Sequence, residues 1–333
     1  MSPTTYTQAD RIDDVAVIGA GVMGHGIAIE FAEAGHRVAL QDLDEDALEQ
    51  SEEKVRWALR TLADAGRLPE EEIPEIESRI ERTPSMAEAV DGVDFVTEAV
   101  AENLDIKKTV FEQLDQHTDD DVILATNTSG LSITEIGSAV EQPERVVGTH
   151  YFNPPYVVPL VEVIRGDRTA DEVIDITYDL MDRIGKTPVV VEKDIPGFIG
   201  NRIQLAMMYE AFSLLDRGVA SAEDIDKVVK SGFGFRLPLL GIFEKTDHSG
   251  LDVHLDVQRY LVKDLDRGID TFDLTENLVE NGDYGLKTGR GIYDWSDLDS
   301  EDVYERRDRG LLDILELYES REMYRSPYTG SEE

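Results

Sequence analysis

Val15-Ala16-Val17-Ile18-Gly19-Ala20-Gly21-Val22-Met23-Gly24 is the stretch whose reading decides the fold. Four apolar residues of a strand run directly into a glycine-spaced loop, and residues 27–34 beyond it are helical by period. The glycines serve distinct physical ends, namely a tight turn, approach of the backbone to a pyrophosphate at a helix N-terminus, and close helix–strand contact. A second strand, 38–41, ends on Asp42 about twenty residues beyond the loop, where a ribose 2′-hydroxyl needs an acceptor. A carboxylate there repels a 2′-phosphate, and no arginine follows it immediately. The spacing therefore predicts a dinucleotide site built by Gly19, Gly21, Met23, Gly24 and Asp42, with NAD preferred over NADP.

Outward from this unit, short β-rich runs alternate with amphipathic stretches as far as residue 192. Strands are expected at 15–18, 38–41, 95–97, 122–125, 146–149, 161–164 and 189–191. Such alternation specifies a doubly wound parallel sheet. Residues 44–65 carry Leu48, Val55, Leu59 and Leu62 at helical spacing with acid on the other face, which reads as a long helix. After Asp194 the strands stop, Pro196 and Gly197 punctuate, and 201–215, 222–231 and roughly 251–267 read as helices. The expected architecture is a Rossmann-type α/β domain over 1–195, an all-α C-terminal domain over 196–295, and an acidic extension over 296–333. Within the extension, Leu311, Leu312, Ile314, Leu315 and Tyr318 fit one more amphipathic helix.

Composition narrows the class. At 333 residues and 41% apolar content the chain can bury a sizeable core, and two domains are expected. No run of about 18 uncharged apolar residues occurs, and residues 1–10 lack the layout of a secretion signal, so a cytoplasmic protein without a membrane span is expected. With 0 cysteines, disulfides, thiolate zinc sites, iron–sulfur clusters and cysteine nucleophiles are excluded. The 6 histidines show no metal-ligand spacing, and no metal is expected. A formal charge of −39, with only 10 lysines among 32 basic residues, suits a surface screened by molar salt. A halophilic, haloarchaeal cytoplasm is the expected setting, and nucleic acid is an unsuitable partner for so much negative charge.

Four further segments carry a resemblance: Asn127-Thr128-Ser129-Gly130-Leu131, Gly148-Thr149-His150-Tyr151-Phe152-Asn153-Pro154-Pro155, Leu160-Val161-Glu162-Val163-Ile164, and Pro196-Gly197-Phe198-Ile199-Gly200-Asn201-Arg202. Together with the glycine loop, in this order over residues 14–295, they resemble the (S)-3-hydroxyacyl-CoA dehydrogenase family. The resemblance implies NAD-dependent oxidation of a short-chain 3-hydroxyacyl-CoA in fatty-acid β-oxidation or butanoate metabolism, and a homodimer built on the helical domain. It implies that His150 and Glu162 are the catalytic pair and that Ser129 and Asn201 hold the substrate's oxygens. Glu102, Lys107, Asn153 and Lys287 then fall where the family contacts the dinucleotide.

The residues' own chemistry agrees. Removing a hydroxyl proton as hydride leaves the same carbon calls for a base titrating near neutrality. His150 ends an apolar strand at the sheet's carboxyl edge, and Glu162 follows on the next strand, whose carboxylate can fix the imidazole tautomer. Taken alone, a histidine at a strand end is more often structural, a glutamate in an apolar strand can be a simple edge charge, Ser129 can be a turn residue, and Asn201 an early-helix cap.

Where relatives meet CoA on the helix after the second strand, this chain aligns Ala58 and Ala65, with Arg56, Arg60 and Arg67 nearby. Gly241-Ile242-Phe243-Glu244 replaces the family's Gly-Pro-Phe-Glu. Two other readings stay open: a hydroxy-acid dehydrogenase similar to lambda-crystallin, acting on L-gulonate, and a non-catalytic NADH-binding structural protein.

Overall fold

Val15 and Val17 lie in one apolar cluster and Ala16 and Ile18 in another, because successive side chains of a strand point to opposite faces of its sheet. The computed structural model describes residues 6–266, 268 and 270–324. Eight strands form one sheet: β1 (Asp14–Ile18), β2 (Arg37–Gln41), β3 (Ile80–Thr83), β4 (Phe95–Glu98), β5 (Ile123–Thr126), β6 (Val146–Tyr151), β7 (Leu160–Ile164) and β8 (Thr187–Val191). Their order is β3-β2-β1-β4-β5-β6-β7-β8. The first six run parallel, β7 pairs antiparallel with β6, and β8 runs parallel to β7.

Helices cover both faces, which is why the strands read as near-continuous apolar runs. One face is packed by α1 (Gly24–Glu33), α2 (Glu45–Asp64), α3 (Ile73–Ser78) and α7 (Asp171–Arg183). The other is packed by α4 (Met86–Ala89), α5 (Leu104–His117) and α6 (Ile133–Gly137). The α/β reading is borne out, with two departures. Strand β3, Ile-Glu-Arg-Thr at the sheet edge, has too little apolar content to be read as a strand. The sheet is also not parallel throughout, since β7 and β8 reverse.

By contacts the chain divides into two units, Met1–Asn201 with Leu311–Leu315 and Arg202–Gly310 with Glu316–Glu333. Helix α8 (Gly200–Asp216) starts in the first and continues in the second, which also holds α9 (Ala222–Ser231), α10 (Ile242–Ser249), α11 (Leu251–Leu261) and α12 (Asp273–Glu280). Residue 267, at the end of the expected 251–267 helix, lies outside the described residues. Two isolated bridges, Gly285 with Arg290 and Arg290 with Asp294, are the only β-pairing among the described residues of this unit. The expected amphipathic helix of the extension is α13 (Ser300–Ser320), whose Leu312 is buried in the core of the first unit. Residues 325–333 of the extension lie outside the described residues.

The order 3-2-1-4-5-6 places a switch point between β1 and β4, where such sheets bind ligands at their carboxyl ends. There Gly19 has φ +104, and a Cβ on it would lie 2.8 Å from the Ala99 carbonyl oxygen. A Cβ on Gly24 would lie 1.7 Å from the Gly19 oxygen. Gly24→Ala is therefore expected to lower stability by about 3 kcal/mol and to abolish NADH binding, measurable by urea denaturation and by fluorescence titration.

Candidate active site

The glycine loop is wired to the end of β2. Gly19 N donates to the Gln41 carbonyl at 2.6 Å and Ala20 N to Asp42 Oδ2 at 2.8 Å, while Asp42 Oδ1 accepts from Asp44 N at 3.0 Å. His25 Nδ1 donates to the Gly21 carbonyl at 2.7 Å, and burial pushes this imidazole's pKa down, so it braces the loop as a neutral ring. Met23 directly precedes α1, and its carbonyl accepts the bond from Ile27 N at 2.9 Å. The first amide N–H groups of a helix have no partner within it. A Cβ on Gly21 would meet nothing within 4 Å. Open space over Gly21, free amides at the start of α1 and a half-buried carboxylate at Asp42 fit a dinucleotide.

Below this crevice lies a polar network that the motifs do not announce. Glu98, wholly buried at the end of β4, accepts from Val100 N at 2.6 Å, Thr126 Oγ1 at 2.6 Å and Lys107 Nζ at 2.8 Å. Lys107 is itself wholly buried. Its ammonium is committed to Glu98, to the Val100 carbonyl at 3.4 Å and to Glu102 Oε2 at 3.5 Å. The structure thus places Lys107, expected at the cofactor, wholly buried against Glu98 and Glu102. Glu102 Oε1 accepts from Thr128 Oγ1 at 2.7 Å and Ser129 N at 2.8 Å, which fixes the loop that presents Ser129. Asn153 is exposed beyond β6, and Lys287 is exposed in the second unit, on a 3-10 turn at Leu286–Thr288.

The antiparallel register places His150 of β6 directly opposite Glu162 of β7. Directly opposed residues in antiparallel strands project to the same face about 5 Å apart. His150 Nδ1 lies 2.7 Å from Glu162 Oε2, with both residues buried. Glu162 Oε1 accepts from the backbone N–H groups of Ile199 and Gly200, each at 2.9 Å. Burial alone would raise this carboxyl's pKa, but the bond from His150 and the two amides outweigh burial and hold it below its ordinary value. An ionised Glu162 can only accept, so Nδ1 carries the hydrogen, and in the neutral ring Nε2 is the nitrogen with the lone pair. Among the described residues Nε2 has no hydrogen-bond partner.

Two rings wall the imidazole, Phe152 at 4.6 Å and Phe198 at 5.8 Å between centroids. Phe198 is buried with φ 49, a left-handed conformation costly for a bulky residue and one that clusters at functional sites. The turn it shapes aims the amides of residues 199 and 200 at Glu162. Asn201, in the first turn of α8, donates from Nδ2 to the Ser129 carbonyl at 2.8 Å. The structure thus forms two pairs, His150 with Glu162 and Asn201 with the Ser129 carbonyl, and the backbone of residues 199–201 runs from one to the other.

The chain matches the models of the 3-hydroxyacyl-CoA dehydrogenase NAD binding domain over residues 14–195 and of the 3-hydroxyacyl-CoA dehydrogenase C-terminal domain over 197–295. It belongs to the 3-hydroxyacyl-CoA dehydrogenase family. It is accordingly an NAD-dependent oxidoreductase. Among its relatives, the 5-formyl-3-hydroxy-2-methylpyridine 4-carboxylate 5-dehydrogenase of Mesorhizobium japonicum is 34% identical over 93% of this chain and 100% of its own length. A probable 3-hydroxybutyryl-CoA dehydrogenase of Bacillus subtilis is 38% identical over 86% of this chain and 99% of its own. The crystal structure of a 5-formyl-3-hydroxy-2-methylpyridine 4-carboxylic acid 5-dehydrogenase, described as an NAD+ dependent dismutase, superposes with TM-score 0.87 at 34% identity, covering 92% of this chain and 99% of that one.

In a dehydrogenase of this family the ionisation of Glu162 has a measurable consequence. A carboxyl whose pKa is depressed by folding stabilises the fold above its unfolded value, and this contribution is lost as pH falls through the depressed one. Glu162→Gln is expected to lower the unfolding free energy by about 2 kcal/mol at neutral pH, with the difference from wild type closing below about pH 4. Urea denaturation across that range checks it; a difference independent of pH would contradict an ionised Glu162.

Proposed function

We propose that this chain oxidises the hydroxyl of a short-chain (S)-3-hydroxyacyl-CoA to the 3-oxo compound, with His150 as the general base. The observation that supports this most directly is the imidazole held by an ionised Glu162 with Nε2 free. Nε2 takes the hydroxyl proton, and Glu162 stabilises the imidazolium that results. NAD, bound over the glycine loop, supplies the hydride acceptor. Ser129 and Asn201 orient the substrate's oxygens: one amide hydrogen of Asn201 is bonded to the Ser129 carbonyl, and the other is available. Gly19, Gly21, Met23, Gly24, Asp42, Glu102 and Asn153 bind the dinucleotide in this reading.

His150→Gln is expected to lower kcat with acetoacetyl-CoA and NADH by about 10³-fold while NADH binding, followed by fluorescence, is unchanged. Retention of most activity would overturn the assignment.

The acyl carrier is the open choice. Ala58 is wholly buried and Arg56 is tied to Glu52 at 2.9 Å and Glu77 at 3.1 Å, so neither offers a phosphate contact. Arg60 is exposed and without an ion pair among the described residues, and is the residue we assign to CoA phosphate. A second reading, a small aromatic or hydroxy acid without CoA, is favoured by the likeness to the pyridine carboxylate dehydrogenase along its whole length. Activity of the wild type on acetoacetyl-CoA, 5-formyl-3-hydroxy-2-methylpyridine 4-carboxylate and L-gulonate, compared in molar KCl, separates them. Arg60→Ala is expected to raise KM for acetoacetyl-CoA severalfold, as loss of a charged contact of about 1 kcal/mol would, and to leave kcat unchanged.

We further propose a homodimer working in a high-salt cytoplasm. Among the described residues none of the hydrophobic side chains in 202–310 is buried; Phe235 is 80% and Phe243 85% exposed. Apolar faces left open on this scale call for a second copy. No described helix is long and apolar enough to cross a membrane. Light scattering is expected to give a dimer in molar KCl, with dissociation or unfolding on dialysis to dilute buffer, because the −39 charge is then unscreened.

A further inference from the structure

Besides the His150–Glu162 and Glu98–Lys107 pairs, another buried ion pair joins the dinucleotide helix to the turn that follows the strand of His150. Glu30 of α1 and Lys186, just before β8, form a salt bridge with side chains only 9% and 5% exposed. Lys186 Nζ also donates to the Pro155 carbonyl at 2.6 Å and reaches the Val158 carbonyl at 3.4 Å. Pro155 belongs to the turn that leaves β6 and carries Asn153. One helical turn before Glu30, on the same face of α1, is Gly26. A Cβ there would lie 3.0 Å from Pro155 Cδ and 3.3 Å from Tyr156 Cδ1, so the turn rests on bare helix backbone. Tyr151, wholly buried beside His150 in sequence, packs in the same core and donates its hydroxyl to Met181 Sδ at 3.0 Å.

We infer that Lys186 is a positioning residue: paired with Glu30, it clamps the turn after His150 onto the first turns of α1, and so sets the cofactor helix relative to the catalytic base. Simple stabilisation is a poor explanation of the pair. Burial raises the Glu30 carboxyl to about 7 even with Lys186 beside it, so the charged form is disfavoured by folding. Stability from this group is therefore lost, not gained, as pH rises from the ordinary carboxylate range toward 7. A buried pair that does not stabilise can still define one arrangement among several. The inference rests on NAD binding and not on which alcohol is the substrate.

The test separates positioning from stability. Lys186→Met should weaken NADH binding about tenfold, by fluorescence titration in molar KCl, and lower the melting temperature, because Glu30 is left without its cation. The double variant Glu30→Gln/Lys186→Met removes both charges and should recover the melting temperature but not the NADH affinity. If the double variant restores both, or if Lys186→Met binds NADH within twofold of the wild type, the pair is structural and the inference fails. Failure of the wild type itself to bind NADH would sink the cofactor assignment and this inference with it.

Discussion

An ionised carboxylate in a dry interior must satisfy its oxygens, and Glu162 does so by dividing them. One oxygen takes the two backbone amides at the entry to α8, and the other takes the His150 imidazole. The division fixes the tautomer and thereby which imidazole nitrogen is a base. It depends on two structural facts of different kinds. The reversal of chain direction at β7 puts residue 162 across from residue 150, and the strained turn at Phe198 brings the amides within reach.

The reversal also answers why a fold of parallel strands departs from its own rule at this edge. Parallel neighbours require a crossover of a dozen or more residues, usually a helix, whereas antiparallel neighbours can be joined by a short connection. Between β6 and β7 the chain has only residues 152–159, so the antiparallel course lets both strands contribute to one site without an intervening helix. That short connection carries Asn153 and rests Pro155 on α1, which leaves β6 and α1 little freedom to drift apart.

Much of this is legible in the sequence because it is written in local terms. The strand–glycine–helix unit, the long α2, and Asp42 just after β2 follow from periodicity and spacing. His150 and Glu162 are legible as types suited to the chemistry, but their partnership depends on register, which no local pattern specifies. The buried network of Glu98, Lys107 and Thr126 is not legible, because charged residues within apolar runs give no sign of which partner satisfies them. Lys107 shows the consequence: a lysine near the cofactor reads as a ligand contact until its burial and its bonds to Glu98 are known. In the second unit α10 and α12 escape the sequence pattern for a different reason. Helices whose apolar faces stay open in a single copy have no internal core against which to calibrate the pattern.

The charge of the chain and its site are linked by what happens to lysine. At an exposed position an acid can stand in place of lysine at little cost, because exposed ion pairs contribute little and are screened. The same exchange in the interior would leave a carboxylate such as Glu98 or Glu30 buried without a cation, a penalty of several kcal/mol. Of the 10 lysines in the chain, Lys107 and Lys186 are each buried against a glutamate, one beneath the loop that presents Ser129 and the other between α1 and the turn after β6. At these two positions the ammonium neutralises a buried acid, so an acidic replacement there would set two carboxylates against each other out of reach of water.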